Sequence, residues 1–261
     1  MATISGKNGG TVKKAYYGNQ VIAMKDHRMS YGVSGTECTP EALFHAYERM
    51  NSLQAQYCVQ GIGVVYGREK EPRWLAMEYM VNGSLADMLR ENFASLSSRD
   101  KAEIAWCVCK CLRLVHNNNR PMVLGKIGSH KLLIGDNREV KLYDFTFTDN
   151  PDMAKRYLHK KNREYIPPEQ LTSERDKYRQ ETELYGLGII VWEIATGKPP
   201  SEAKPLPADC PEAFKRVTSG LKHNDPSQRM SVKALSQKDS DGGCHKCTKR
   251  SYRDRKKKIH L

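Results

Sequence analysis

Residues 123–148 read VLGKIGSHKLLIGDNREVKLYDFTFT, and this stretch decides the fold. Within it, residues 131–145 carry two short apolar runs, LLI and VKLY, on either side of Gly135-Asp136-Asn137. Residues of that kind accept the backbone of a tight turn, so the segment is read as a β-hairpin. Around the hairpin lie three charged residues, Lys126, Lys131 and Asp144. The two lysines donate hydrogen bonds and accept none, so neither can do the work of a carboxylate or an amide oxygen.

Upstream of the hairpin the chain reads as strands and one helix. TVKKAYYG, QVIAMK, GIGVVYG and RWLAMEYM are short apolar runs bounded by Gly, Asn, Arg or Pro, spaced as antiparallel hairpins. Between the second and third, a helix is expected from Pro40 to about Leu53, with Thr39 as N-cap and Leu43, Tyr47, Met50 and Leu53 on one face. After residue 81 the pattern becomes helical. One helix is expected from about Ser98 to His116, burying Ile104, Val108, Cys111 and Val115. A second, residues 183–197, is so continuously apolar that burial on most sides is expected, with Gly197 placed to end it. The expected architecture is α+β and bilobal: a small antiparallel sheet lobe with one helix (1–80), a larger helical lobe (81–237), and a basic tail (238–261) without apolar periodicity, read as disordered.

Composition agrees with a globular chain. Of 261 residues, 39% are hydrophobic and 28% charged, and the mean hydropathy of −0.69 reflects abundant Lys and Arg. The 43 basic against 30 acidic residues give a formal charge of +13, a surplus that favours acidic partners. About half of it lies after Cys244, so the body is only mildly basic. No apolar run approaches the roughly 20 residues of a membrane span, and the N-terminus has no apolar signal core. A cytoplasmic protein is expected. The eight cysteines suit reduced thiols, with Cys107 and Cys111 as small core residues on one helix face.

From Ser5 to about Leu235 the order of segments resembles a protein kinase domain. VIAMK (21–25) stands for V-A-I-K, making Lys25 the match of the lysine that holds nucleotide phosphates. MEYMVNGSL (77–85) resembles the hinge, with Met77 as gatekeeper; YIPPE (165–169) stands for A-P-E, and DPSQRM (225–230) for D-P-x-x-R-P. The resemblance implies that Glu169 and Arg229 form a buried structural ion pair and that Glu183 helps to scaffold the helical lobe.

Aligned this way, the opening stretch occupies the catalytic loop and lacks its chemistry. Lys126 replaces the aspartate that orients the substrate hydroxyl, and Lys131 replaces the asparagine that gives an oxygen to magnesium. Asp144 persists in DFT, where Thr146 replaces the glycine. SGKNGGTV (5–12) keeps only Gly10 of the three phosphate-loop glycines, so backbone N–H groups approach phosphates less closely. Lys25, Glu48, Gly10 and Met77 are therefore read as a vestigial nucleotide pocket, with Glu48 as the expected partner of Lys25. Lys126 and Lys131 could form an anion site with Lys25, or one of them could pair with Asp144; the structural pairing is preferred. A non-enzyme is expected, with no cofactor and no catalytic metal. An unorthodox phosphotransferase using Asp144 and Lys25 is the enzyme alternative.

LGKIGSHKLLI (124–134), GIIVWEIATGKPP (188–200), ADCPEAF (208–214) and HNDPSQRMSV (223–232) are similar to the mixed lineage kinase domain-like family, the pseudokinases of necroptosis. In that family an N-terminal four-helix bundle permeabilises membranes, and the pseudokinase domain receives the upstream receptor-interacting protein kinase. Three departures stand out. Met1 lies close to the first strand, so no bundle is expected; residues 146–166 lack an adjacent Ser/Thr pair for a phosphate switch; and residues 197–214 leave little room for the helix usual at this place. The resemblance implies a decoy of viral type, which binds the host receptor-interacting kinase and so inhibits necroptosis. Contacts are expected through Leu43, Tyr47 and Met50 of the small-lobe helix and through the basic loop with Lys155, Arg156, Lys160, Lys161 and Arg163.

The tail leaves other readings open. Residues 249–258 could bind nucleic acid or anionic lipid, or act as a nuclear import signal, though such a run is usually a solvated face. Cys244, His245, Cys247 and a distant His260 invite a zinc reading, but no second Cys pair stands nearby to close a tetrahedral site.

Overall fold

The computed structural model describes residues 3–5, 11–26, 40–67, 70, 72–118, 122–125, 127–145, 163–172, 178–202, 205–232 and 234. Five strands, β1 (Thr3–Ser5), β2 (Thr11–Tyr17), β3 (Gln20–Asp26), β4 (Gly61–Tyr66) and β5 (Pro72–Glu78), form one sheet in the order β1-β2-β3-β5-β4. Every neighbouring pair is antiparallel. The four strands expected from apolar runs are present; β1 is an addition, paired to β2 and ending where the segment read as phosphate loop begins.

Alternation along the strands gives the sheet two apolar faces. Ala15, Ile22 and Ala76 make a small cluster on one face, while Ala23, Leu75 and Met77 join the main core on the other. Helix α1 (Pro40–Ser52) closes that second face. It buries Leu43, Ala46, Met50 and the following Leu53, a spacing of three and four residues that keeps them on one stripe. Thr39 lies outside the described residues.

The helical lobe holds α2 (Leu85–Asn92), α3 (Ser98–His116), α4 (Pro168–Thr172), α5 (Gln180–Thr196) and α6 (Glu212–Leu221). Ser97 and Asp100 close a capping box at the start of α3, each satisfying the other's backbone N–H. Cys107 and Cys111 are buried on its inner face, neither of them in a disulfide. Helix α5 is buried on nearly all sides and ends at Gly197 in the left-handed conformation, φ 69°. A Cβ at Gly197 would lie 2.3 Å from the Phe93 ring, so packing as well as φ demands glycine there. The helix begins one turn earlier than the apolar run, at Gln180, because polar Gln180, Glu181 and Thr182 supply its first turn. Among the described residues between α5 and α6, the only regular element is a 3-10 turn, Pro200–Glu202.

The hairpin of the opening stretch is β6 (Leu132–Ile134) paired with β7 (Val140–Leu142). It ties the two lobes together. Leu142 exchanges backbone hydrogen bonds with Tyr57 and Val59 beyond α1, and Ile134 does so with Asn82 and Gly83 beyond β5. The hairpin thus places Lys131 and Asp144 beneath the sheet that carries Lys25.

Candidate ligand cleft and its lysine clamp

Beneath the sheet three charged side chains meet, each at most 5% exposed as a residue: Lys25 from β3, Lys131 before β6 and Asp144 after β7. Lys25 Nζ lies 3.0 Å from Asp144 Oδ1, and Lys131 Nζ binds Asp144 Oδ2. Both ammonium groups also face the Tyr143 ring, at 5.6 Å and 5.3 Å from its centroid. One carboxylate is therefore held between two cations over an aromatic face. Asp144 has φ 75°, a backbone conformation rare outside glycine, and its side chain is fully enclosed.

The arrangement has a direct chemical consequence. Each carboxylate oxygen that a divalent cation would use already takes an ammonium group, and the two positive charges repel any incoming metal. Among the described residues no cluster of three or more His, Cys, Asp or Glu side chains is placed to hold a metal ion. Beside the clamp, Ala46, Leu75, Met77 and Phe145 line a cavity of about 10 Å³, room for roughly one water. Met77 is 1% exposed and fills the back of the cleft opposite Ala23.

Glu48 corrects the sequence reading. It lies on the exposed face of α1, two residues away from the inward stripe, and Lys25 pairs with Asp144 in its place. The α1 residue that reaches the cleft is Ala46, which has no charge to offer. The contact candidates on the same helix need a second correction. Leu43 and Met50 are 1% and 0% exposed and belong to the core, and Tyr47 is half-buried against it. Their apolar periodicity reports the buried stripe; the outward face carries Glu41, Phe44, His45 and Glu48. Arg163 is exposed in the 3-10 turn Arg163–Tyr165. Gly10, Lys126, Lys155, Arg156, Lys160 and Lys161 lie outside the described residues, as do the tail and its Cys and His residues.

The loop that leads to the clamp is shaped by Glu183. From α5 its Oε1 accepts the backbone N–H of Leu124 at 2.7 Å and of Gly125 at 3.1 Å, and its Oε2 meets His116 Nε2 at 2.7 Å. Further down, Arg229 forms a fork with both oxygens of Glu169, each at 2.7 Å, and donates to the Glu181 carbonyl. Two clusters absent from the sequence reading complete the surroundings. Lys141 Nζ meets both oxygens of Glu78 at 2.6 and 2.8 Å. Glu193 accepts from Ser129 Oγ at 2.9 Å and Tyr165 Oη at 2.8 Å. Burial raises the Glu193 carboxyl to about 7 and pushes the Tyr165 phenol well above its ordinary value. Glu193 sits inside the apolar run of α5, and a charged residue there was the available signal.

Comparison with known proteins gives the family. A family described as protein tyrosine and serine/threonine kinase matches residues 5–232. Mixed lineage kinase domain-like protein of Homo sapiens is 27% identical over 187 residues, covering 63% of this chain and 39% of that protein. The Mus musculus protein of the same name is 28% identical over 182 residues, covering 60% and 38%. A serine/threonine-protein kinase-like protein of Arabidopsis thaliana is 26% identical over 198 residues, covering 72% and 52%. The match thus spans about two fifths of the length of the two mammalian relatives.

Proposed function

This chain belongs to the protein tyrosine and serine/threonine kinase family, and from that premise we propose that it is an inactive member which acts by occupying another kinase. The observation that carries the first half is the lysine clamp: Asp144 is engaged by Lys25 and Lys131, in the place where the family needs a metal-bound carboxylate. Phosphoryl transfer depends almost wholly on positioning and metal-assisted charge stabilisation, and this site supports neither. Lys126 at the position of the catalytic aspartate supports the same reading.

The second half rests on likeness to the mixed lineage kinase domain-like proteins. A receiver domain that keeps the shape recognised by a receptor-interacting protein kinase, but lacks the adjacent Ser/Thr pair of the phosphate switch, removes that kinase from its true substrate. We assign this chain to that role: a decoy in the host cytoplasm that inhibits necroptosis. The lobes 1–80 and 81–237 form the docking body, and the outward face of α1 with Arg163 forms the contact surface.

The test is a pull-down of the host receptor-interacting kinase domain with the purified protein, following phosphorylation of the host effector in the same tube. Saturable binding with falling phosphorylation is expected. Unchanged phosphorylation at saturating protein, across kinases of several hosts, overturns the decoy. A melting-temperature rise with ATP that requires magnesium overturns the inactive site.

A further inference from the structure

A second cavity, of about 440 Å³, opens in the helical lobe between the end of α5, the start of α3 and the segment leading into α6. Its size falls in the range of small-molecule sites. Its walls have a consistent chemistry. Phe93, Pro205, Pro207 and Pro211 supply apolar surface, and the prolines have no N–H to offer a ligand and hold their backbone stiff. Charge comes from Lys101, Lys198 and Asp209, two cations against one acid. Lys101 Nζ sits 3.7 Å from the centroid of the Phe93 ring, which fixes the ammonium against an aromatic wall. The Phe93 ring in turn occupies space that only a glycine at position 197 leaves free.

We propose that this cavity is a binding site for a small amphipathic anion, its apolar body packed against Phe93 and the prolines and its acidic head on Lys101 and Lys198. The same chemistry is offered by an acyl carboxylate and by an aromatic phosphate. The site is remote in sequence from the clamp, and it stands or falls apart from the kinase-decoy reading.

The test uses the full chain and 8-anilinonaphthalene-1-sulfonate, an apolar fluorophore with one anionic group. One-to-one saturable binding is expected, at least fivefold tighter than binding of the neutral N-phenyl-1-naphthylamine. Ala195→Trp fills the cavity and abolishes the signal; Lys198→Glu, at an exposed position compatible with the fold, weakens it at least fivefold. Equal affinity for the neutral dye overturns the proposal, as does unchanged affinity in Lys198→Glu. Competition then separates the sources. Displacement by decanoate alone assigns the site to acyl carboxylates, by phenyl phosphate alone to aromatic phosphates, and by both to any apolar anion; displacement by neither overturns it.

Discussion

Asp144 and Glu183 are both fully buried carboxylates, and their partners differ in kind. Glu183 holds two backbone N–H groups and a histidine, so it fixes the path of a loop whatever side chains the loop carries. Asp144 holds two lysine side chains, one from the sheet and one from the loop ahead of the hairpin. The shape of the site and its chemistry are thus held by different residues. The loop geometry answers to Glu183, so it does not depend on which cations surround Asp144.

Removing each carboxylate separates the two roles. Glu183→Ala leaves two buried N–H groups unpartnered and opens a cavity, and is expected to cost about 3–5 kcal/mol in urea unfolding. A loss below about 1 kcal/mol would show that the loop is held elsewhere. Asp144→Ala leaves two buried ammonium groups facing each other and is expected to cost about 3 kcal/mol. Lys131→Met keeps the Lys25–Asp144 pair and is expected to stay within about 1 kcal/mol of the parent. Equal losses in these two variants would contradict the charge account of the clamp.

The two faces of α1 sharpen the same contrast between frame and surface. Leu43→Ala is expected to lose about 2–3 kcal/mol through the cavity it creates, whereas Phe44→Ala, on the outer face, stays within about 0.5 kcal/mol. If the outer face docks a kinase, Phe44→Ala weakens the pull-down while leaving the urea midpoint unchanged.

Glu193 is a third kind of buried carboxyl, held by two hydroxyls, Ser129 Oγ and Tyr165 Oη. Its pKa of about 7 in the folded state lies above the ordinary value of roughly 4.3. Between those values the folded protein binds more protons at this site than the unfolded chain. Stability therefore falls as pH rises through that window and levels off above it. Glu193→Gln should flatten that part of the pH dependence of the urea midpoint; an unchanged slope would remove Glu193 as its source.

Periodicity and caps made most of the fold legible. The boundaries of α3 follow from its apolar spacing, and the hairpin at Gly135-Asp136-Asn137 follows from turn chemistry. The site was legible as a set of residue types more than as a set of pairs. That lysines crowd the cleft could be read from the motifs; that both of them share Asp144 could not, because pairing depends on the angle at which β3 crosses the hairpin. Glu48 misled for a related reason. It is the nearest acid in sequence to the expected position, but the helix register is set by burying Leu43 and Met50, and that turns Glu48 outward and Ala46 inward. Long-range acids such as Glu78 and Glu193 carry no local pattern that names their partners.

The Glu78–Lys141 pair bears on motion between the lobes. Glu78 ends the last strand of the sheet lobe, Lys141 stands on β7, and the two contacts of 2.6 and 2.8 Å bridge the connection about which one lobe would pivot on the other. Swinging the lobes apart would separate a half-buried ion pair and strip the Leu142 backbone of its partners at Tyr57 and Val59. In a complex of the kind proposed above, a body stitched across its own pivot would have little interlobe freedom left to surrender, so less of its contact energy would go to ordering and more to holding the partner.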